Sequence, residues 1–278
     1  MPELTNPRAE RVMSVKALAG RSVRVRTGQF LVEGPQGVRE AVRCVPDLVR
    51  DVYTTDMAAA RYAEILSDAR AARLRVHRAS QDVVGAMSSD AQGLVAVLDS
   101  AVSTLEDVLA SGPRLVAVLT QVRDPGNAGT VIRAADGAGA DGVLFTAGSV
   151  DVHNPKVVRA TAGSLFHVPV VTGLSLADAV AGLRSAGMAI LAADGAGDHD
   201  LDDLLDLSGA PAESRPRAVP DLSLPTAWVF GNEAWGLPEQ DRSLADAVVR
   251  VPIRGRAESL NLATAATLCL YASARAQR

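Results

Sequence analysis

Short apolar runs alternate with longer stretches in which apolar positions recur at helical spacing. That is the pattern of strands interleaved with helices. In the first third, FLVEG (30–34), VRDVYTT (49–55), LRVHRA (74–79) and GLVAVLD (93–99) read as strands, with helical stretches over 35–45 and 57–72. AVSTLEDVLASGP (101–113) reads as a short helix and turn. It predicts a boundary between domains spanning 1–105 and 114–278. A second alternation follows: LVAVLT (115–120), a helix from about 127 to 139, GVLFT (142–146), a helix near 155–162, FHVPVV (166–171), a helix over 176–187, and MAILAAD (188–194). TAWVF (226–230) and AVVRVPI (247–253) add strands, and a helix over about 259–275 ends the chain. Strands that are apolar throughout are covered on both faces, so the second region predicts a parallel α/β sheet. The acidic, proline-bearing stretch 195–224 reads as a surface insertion.

Composition sharpens this picture in a few places. Hydrophobic residues at 48% and charged residues at 22% exclude a chain too polar to bury a core. No apolar stretch reaches the roughly 18 residues of a membrane span. The N-terminal sequence has no apolar signal core, so a cytoplasmic protein with no membrane partner is expected. Cys44 and Cys269 are the only cysteines and are expected to be buried, reduced thiols. The net charge of −4 argues against a uniformly basic nucleic-acid binder. The charge is uneven, however. Residues 1–50 hold nine basic and five acidic residues, a balance of +4, whereas 194–224 hold eight acids and two arginines, a balance of −6. One face can therefore attract phosphate although the total is negative.

Gly137-Ala-Gly139-Ala-Asp-Gly142 fits G-x-G-x-x-G, but a helix precedes it and a strand follows. A dinucleotide fingerprint needs the reverse order, so a Rossmann dehydrogenase is set aside. No phosphate-binding P-loop and no metal-type cluster appears around His77, His153, His167 or His199.

Three segments, each following a strand of the second region, carry the candidate chemistry. The first is Arg123-Asp-Pro-Gly-Asn127-Ala-Gly129-Thr-Val-Ile-Arg133. Its turn residues lead to Asn127, a good N-cap, and Arg133 offers a fork of donors for phosphate. The second is Gly231-Asn232-Glu233-Ala234-Trp235-Gly236-Leu237, where glycines permit close backbone approach and Glu233 projects from the same end of the sheet. The third runs from Val251-Pro252-Ile253 through Gly255 to Ser259-Leu260-Asn261-Leu262. Each alone reads equally well as a cap or a simple turn. Ligands bind in the crevice at strand carboxyl ends, so three such loops on one sheet point to a common site.

The set N-x-G-x-x-x-R, G-N-E-x-x-G-L and V-P-I-x-G-x-x-x-S-L-N-L resembles, in order and spacing, the three motifs of the SpoU family of the SPOUT superfamily. Residues 1–100 are similar to that family's N-terminal RNA-substrate-binding domain of ribosomal-protein L30e-like fold. The carriers are Lys16, Arg21, Arg24, the run Gly28–Gly34, and Gln92–Val97. The resemblance implies an S-adenosylmethionine-dependent RNA ribose 2′-O-methyltransferase. It implies an α/β fold whose C-terminal SPOUT sheet carries a deep trefoil knot. It implies a homodimer through the knotted domain, each site borrowing residues from its neighbour. Carried over, Gly231, Ile253, Leu260 and Leu262 contact the cofactor. Arg133 holds phosphate and activates the hydroxyl, and Asn127, Glu233, Ser259 and Asn261 orient it or the ribose. Lys16, Arg21, Arg24 and Arg26 bind RNA. A sulfonium methyl is already activated, so the reaction requires no metal. The extra domain favours ribosomal (23S) RNA over tRNA, and 3% aromatic residues argue against extensive base stacking. The alternatives are a tRNA 2′-O-methyltransferase, a non-catalytic RNA-binding protein of the same fold, or a small-molecule nucleotide enzyme.

Overall fold

The structure is a computed structural model describing residues 4–211 and 219–278. The chain divides into two compact units, one of residues 1–101 and 151–167, the other of 102–150 and 168–278.

The first unit contains α1 (Glu10–Ala17), α2 (Arg21–Thr27), β1 (Gln29–Glu33), α3 (Pro35–Cys44), β2 (Val49–Thr54), α4 (Asp56–Arg61), α5 (Ala63–Ala71), β3 (Val76–Arg78), α6 (Gln81–Met87) and β4 (Leu94–Asp99). Its sheet order is β1-β4-β2-β3, with β4 antiparallel to both neighbours and β2 parallel to β3. Along β4, Leu94, Ala96 and Leu98 face a core shared with α3 and α5, while Val95 and Val97 face α1 and α6. Both faces are covered, so the strand is apolar at every position but its last. The single helix expected over 57–72 is two, broken at Tyr62, where the backbone leaves helical geometry.

The second unit contains α7 (Leu105–Ala110), β5 (Leu115–Leu119), α8 (Pro125–Ala138) and β6 (Gly142–Thr146). The segment after β6, with α9 (Pro155–Ala160), belongs to the first unit. The second unit then resumes with β7 (Val170–Leu174), α10 (Leu176–Ser185), β8 (Ala189–Ala193), β9 (His199–Asp200), α11 (Leu201–Leu207), β10 (Thr226–Phe230), α12 (Glu239–Arg242), β11 (Ala247–Arg250) and α13 (Leu262–Ala276). Among the described residues these strands form one parallel sheet of order β7-β6-β5-β10-β8-β11-β9. Val116, Val118, Ala227, Val229, Ile190 and Ala192 face a core with α7 and α10. α13 packs against α8 and against β5 and β10. There the buried Trp228 donates its indole N–H to Ser273 Oγ on α13 at 2.8 Å.

Several expectations are corrected. The strand expected over 166–171 begins at Val170, because Ser164–Phe166 form a 3-10 turn. The stretch 195–224 is not merely an insertion: β9 pairs with β11, and Leu201 and Leu204 bury one side of α11. Its acids hid that helical spacing, and two of them sit near arginines, Asp202 with Arg254 at 2.7 Å and Asp200 with Arg250 at 3.4 Å. Glu213, Arg215 and Arg217 of the same charge pattern lie outside the described residues. Cys269 is buried, which pushes its thiol pKa up, but Cys44 is exposed. The fold also gathers Glu40, Cys44 and His167, whose ligand atoms lie within 4.8 Å of one another, a grouping that their spacing in the chain conceals.

Arg24 is corrected too. It is 4% exposed and its guanidinium donates to Asp151 Oδ2 and to the carbonyls of Leu18 and Ala19, so it is not an exposed cation of the basic segment. A truncation there takes away the ion-pair partner of Asp151 and a donor to those carbonyls, which makes Arg24 a folding residue.

His153 provides a stability test. Its ring lies 4.4 Å from that of Phe30, and burial lowers its pKa below the ordinary 6.5, outweighing the opposing pull of Asp151. The unfolded chain then binds the extra proton first, so this stability is present above pH 6.5 and is lost as pH falls below it. His153→Asn should flatten the acid-side loss in thermal melts between about pH 8 and about pH 5.5. An unchanged slope would remove His153 from the account.

Candidate active site

The helix α8 carries the chain from β5 to β6 on one side of β5, while β10 lies on the other side. The carboxyl ends of β5 and β10 therefore form a topological switch point, where a crevice opens between diverging connections. The three motif segments meet there.

After β5, Asp124 caps α8 by accepting from Asn127 N–H at 2.7 Å, with Pro125 at the first helical position. Asn127, expected as the cap, is instead the third helical residue, so its side chain is free to enter the site. After β10, the residues 231–236 form a turn closed at its neck: Asn232 N–H donates to Gly236 O at 3.0 Å, and Gly236 N–H to Asn232 O at 2.9 Å. Asn232 is buried and donates through Nδ2 to Gln121 O at 2.7 Å. After β11, residues 251–261 return to the start of α13. Asn261, not Ser259, caps that helix, accepting through Oδ1 from Ala263 and Thr264 at 2.9 and 3.3 Å.

Those contacts fix the amide orientations. With Oδ1 of Asn261 held by two N–H donors, its Nδ2 donates to Asn127 Oδ1 at 2.9 Å. Asn127 then presents Nδ2 to Glu233 Oε1 at 3.4 Å. The Glu233 carboxylate also accepts from the backbone N–H groups of Arg123 and Asp124, at 3.3 and 3.1 Å. One hydrogen-bonded chain, Asn261–Asn127–Glu233, thus ties the three segments together.

It borders a cavity of about 490 Å³, within the usual range for small-molecule sites. Gly231, Ile253, Leu260 and Leu262 line it, as do Asn127, Glu233, Ser259 and Asn261. Asp194, Gly195 and Phe230 also line it, and the sequence reading missed them; the signal was Asp194-Gly195 directly after an apolar strand. Arg133 does not line it. It is exposed, six residues beyond Asn127 and so about 120° away around the helix. Lys16, Arg21 and Arg26 are exposed in the first unit.

A parallel sheet with three converging loops at its switch point is the architecture of an α/β protein with its ligand crevice at the strand carboxyl ends. The chain belongs to the SpoU rRNA methylase family, whose model matches residues 114–271. Residues 31–101 match the RNA 2′-O ribose methyltransferase substrate-binding domain. Among similar proteins, the 23S rRNA (uridine(2479)-2′-O)-methyltransferase of Streptomyces viridochromogenes is 31% identical over 97% of this chain and 93% of its own. The 23S rRNA (guanosine(2553)-2′-O)-methyltransferase RlmP of Bacillus subtilis is 31% identical over 98% of each. The crystal structure of an AdoMet-bound rRNA methyltransferase from Sinorhizobium meliloti has a TM-score of 0.81 at 28% identity, over 99% of this chain and 97% of that one. SpoU methyltransferases are enzymes that use S-adenosylmethionine.

Proposed function

We propose that this chain transfers a methyl group from S-adenosylmethionine to a ribose 2′-hydroxyl of 23S ribosomal RNA. The observation that carries this reading is the Asn261–Asn127–Glu233 chain closing three loops around one cavity. The lining fits the cofactor. Ile253, Leu260, Leu262 and Phe230 offer apolar wall for an adenine ring, and the backbone of 231–236 with Asp194 offers polar partners for a ribose and an amino-acid moiety. When bound there, S-adenosylmethionine supplies an activated methyl on a sulfonium.

The protein's task is to place a poor nucleophile in line with that methyl, and positioning alone supplies much of the rate. Ser259, Asn127 and Asn261 border the cavity as polar groups that orient a sugar hydroxyl or its phosphate. A guanidinium stays protonated, so Arg133 acts by holding the adjacent phosphate and lowering the cost of charge on the oxygen. In this reading it comes from a second copy, since it does not line its own chain's cavity. Support lies in α13, whose Leu268 and Tyr271 are 44% and 49% exposed. Tyr271 meets α8 at Gly137, on the exposed side that also holds Thr130 and Arg133. A homodimer through α8 and α13 buries these apolar groups and delivers Arg133 to the partner's site. The trefoil knot, expected to involve 231–236 and 251–261, belongs to the same reading.

The test is to incubate the protein with labelled methyl donor and either 23S RNA or tRNA, then map the modified nucleotide. Label confined to tRNA, or placed on a base, would overturn it. Lys16, Arg21 and Arg26 are proposed to bind RNA phosphates. Changing all three to Glu should weaken RNA binding and reduce the slope of log K against log salt by about one per lost contact, leaving S-adenosylhomocysteine affinity alone. An unchanged salt slope would place the RNA elsewhere.

A further inference from the structure

Trp235 is 50% exposed beside the cavity, and nothing in the reading above uses it. Its loop is otherwise tied inward. Asn232 is buried, the Glu233 carboxylate accepts from two backbone N–H groups and from Asn127, and Ala234 and Gly236 line the cavity on either side of Trp235 in the chain. The pair of backbone hydrogen bonds between Asn232 and Gly236 closes the neck. The loop is therefore tied at its neck, and Trp235 is the large apolar side chain it holds out to solvent. An indole half exposed beside a ligand cavity, on a loop closed at its neck, offers a planar apolar face to a ligand.

Arg123 lies over this ring, with its guanidinium carbon 5.2 Å from the ring centroid. The stack restrains the indole at little entropic cost. A guanidinium carries its N–H donors along its edge, where they can meet an anion. Among the described residues no carboxylate forms an ion pair with that edge. A planar apolar surface and a cationic donor edge together match one nucleotide unit, a base to stack and a phosphate to hold.

We propose that Trp235 and Arg123 form a subsite for an unpaired nucleotide of the substrate RNA at or beside the acceptor ribose, the indole stacking its base and the guanidinium meeting its phosphate. This rests on the methyltransferase reading above. It is consistent with few aromatics in the chain: a single platform needs only one.

The chain's two tryptophans make the test direct. Trp228 is fully buried and hydrogen-bonded to Ser273, so an RNA-dependent change in indole emission reports on Trp235. The full-length protein is titrated with the 23S RNA fragment that it methylates. Wild type should show quenching, and Trp235→Phe should lose that signal while its own ring holds the KM for RNA well below that of Trp235→Ala. Trp235→Ala should raise the KM for RNA by roughly 5- to 100-fold, with S-adenosylhomocysteine affinity unchanged. Equal KM values for wild type and Trp235→Ala would overturn the subsite and leave the methyltransferase reading intact. A wild type that methylates no RNA sinks that reading instead. Emission that shifts on dilution without RNA, and not with RNA, would assign Trp235 to contact between copies and overturn the subsite too.

Discussion

Replacing Arg133 with Ala is expected to lower methyl transfer by about 10²- to 10⁴-fold while the protein folds and binds S-adenosylhomocysteine as before. The folding half follows from exposure: Arg133 sits on the solvent side of α8, whose buried positions are Ala128, Gly129, Val131, Ile132 and Ala135. The cofactor half follows because Arg133 is not in the cavity wall. The catalytic half rests on the proposed delivery from a second copy, and that can be separated by complementation. Arg133→Ala alone lacks the activator, and Asn261→Ala alone lacks the cap and the link to Asn127. If sites are shared, a mixed dimer holds one site with both residues intact. After random exchange the mixture should recover about a quarter of wild-type activity, since half the dimers are mixed and half their sites are whole. No recovery, with exchange verified, means that each chain supplies its own Arg133. Lys at this position should rescue poorly, because an ammonium holds phosphate as a point charge without the guanidinium fork.

This arrangement also shows what a linear reading could and could not reach. The strands were legible because burial on both faces leaves little but apolar residues, as in Leu115–Leu119 and Thr226–Phe230. The motif residues were legible through the resemblance to the SpoU motifs, on which Asn127, Glu233 and Asn261 fall; alone, each reads equally well as a cap or a turn. Their partners were not legible. Asn127 and Ser259 look like caps, and only the fold reveals that Asp124 and Asn261 take those roles, freeing Asn127 to bond Asn261 across 134 positions. Arg24 illustrates the opposite failure. In sequence it is one more cation in a basic segment; in the fold, Asp151, 127 positions away, together with two local carbonyls turns it into a buried strut. α11 was hidden because its acids dominate composition while its leucines set the packing. Local pattern reports burial well, but pairing across the chain is a property of topology.

Gly231→Ala is expected to be the more damaging change, and the fold revises the reason. The sequence suggests that a side chain here would obstruct the cofactor. The structure shows that a Cβ at 231 would strike the chain itself, clashing with Gly236 C and lying 2.5 Å from Gly236 O and 2.6 Å from Leu237 N. These are backbone atoms and cannot swing aside. To admit the methyl group the neck must open, which breaks the paired hydrogen bonds between Asn232 and Gly236. Glu233 then leaves Arg123, Asp124 and Asn127, and one wall of the cavity goes with it. Overpacking of this kind costs about 1–3 kcal/mol, and the freed polar groups add to it. Calorimetry should show S-adenosylhomocysteine affinity down by more than about tenfold, equivalent to about 1.4 kcal/mol, together with a lower Tm. Gly236→Ala is the control. Its φ of +66° strains an alanine, but the nearest atom to its Cβ is Asp194 Oδ2 at 3.7 Å, so there is room. It should lose about 1–2 kcal/mol of stability and keep the neck closed and the ligand bound. If Gly231→Ala binds as wild type does while Gly236→Ala does not, left-handed backbone at 236, rather than close approach at 231, is what shapes the pocket.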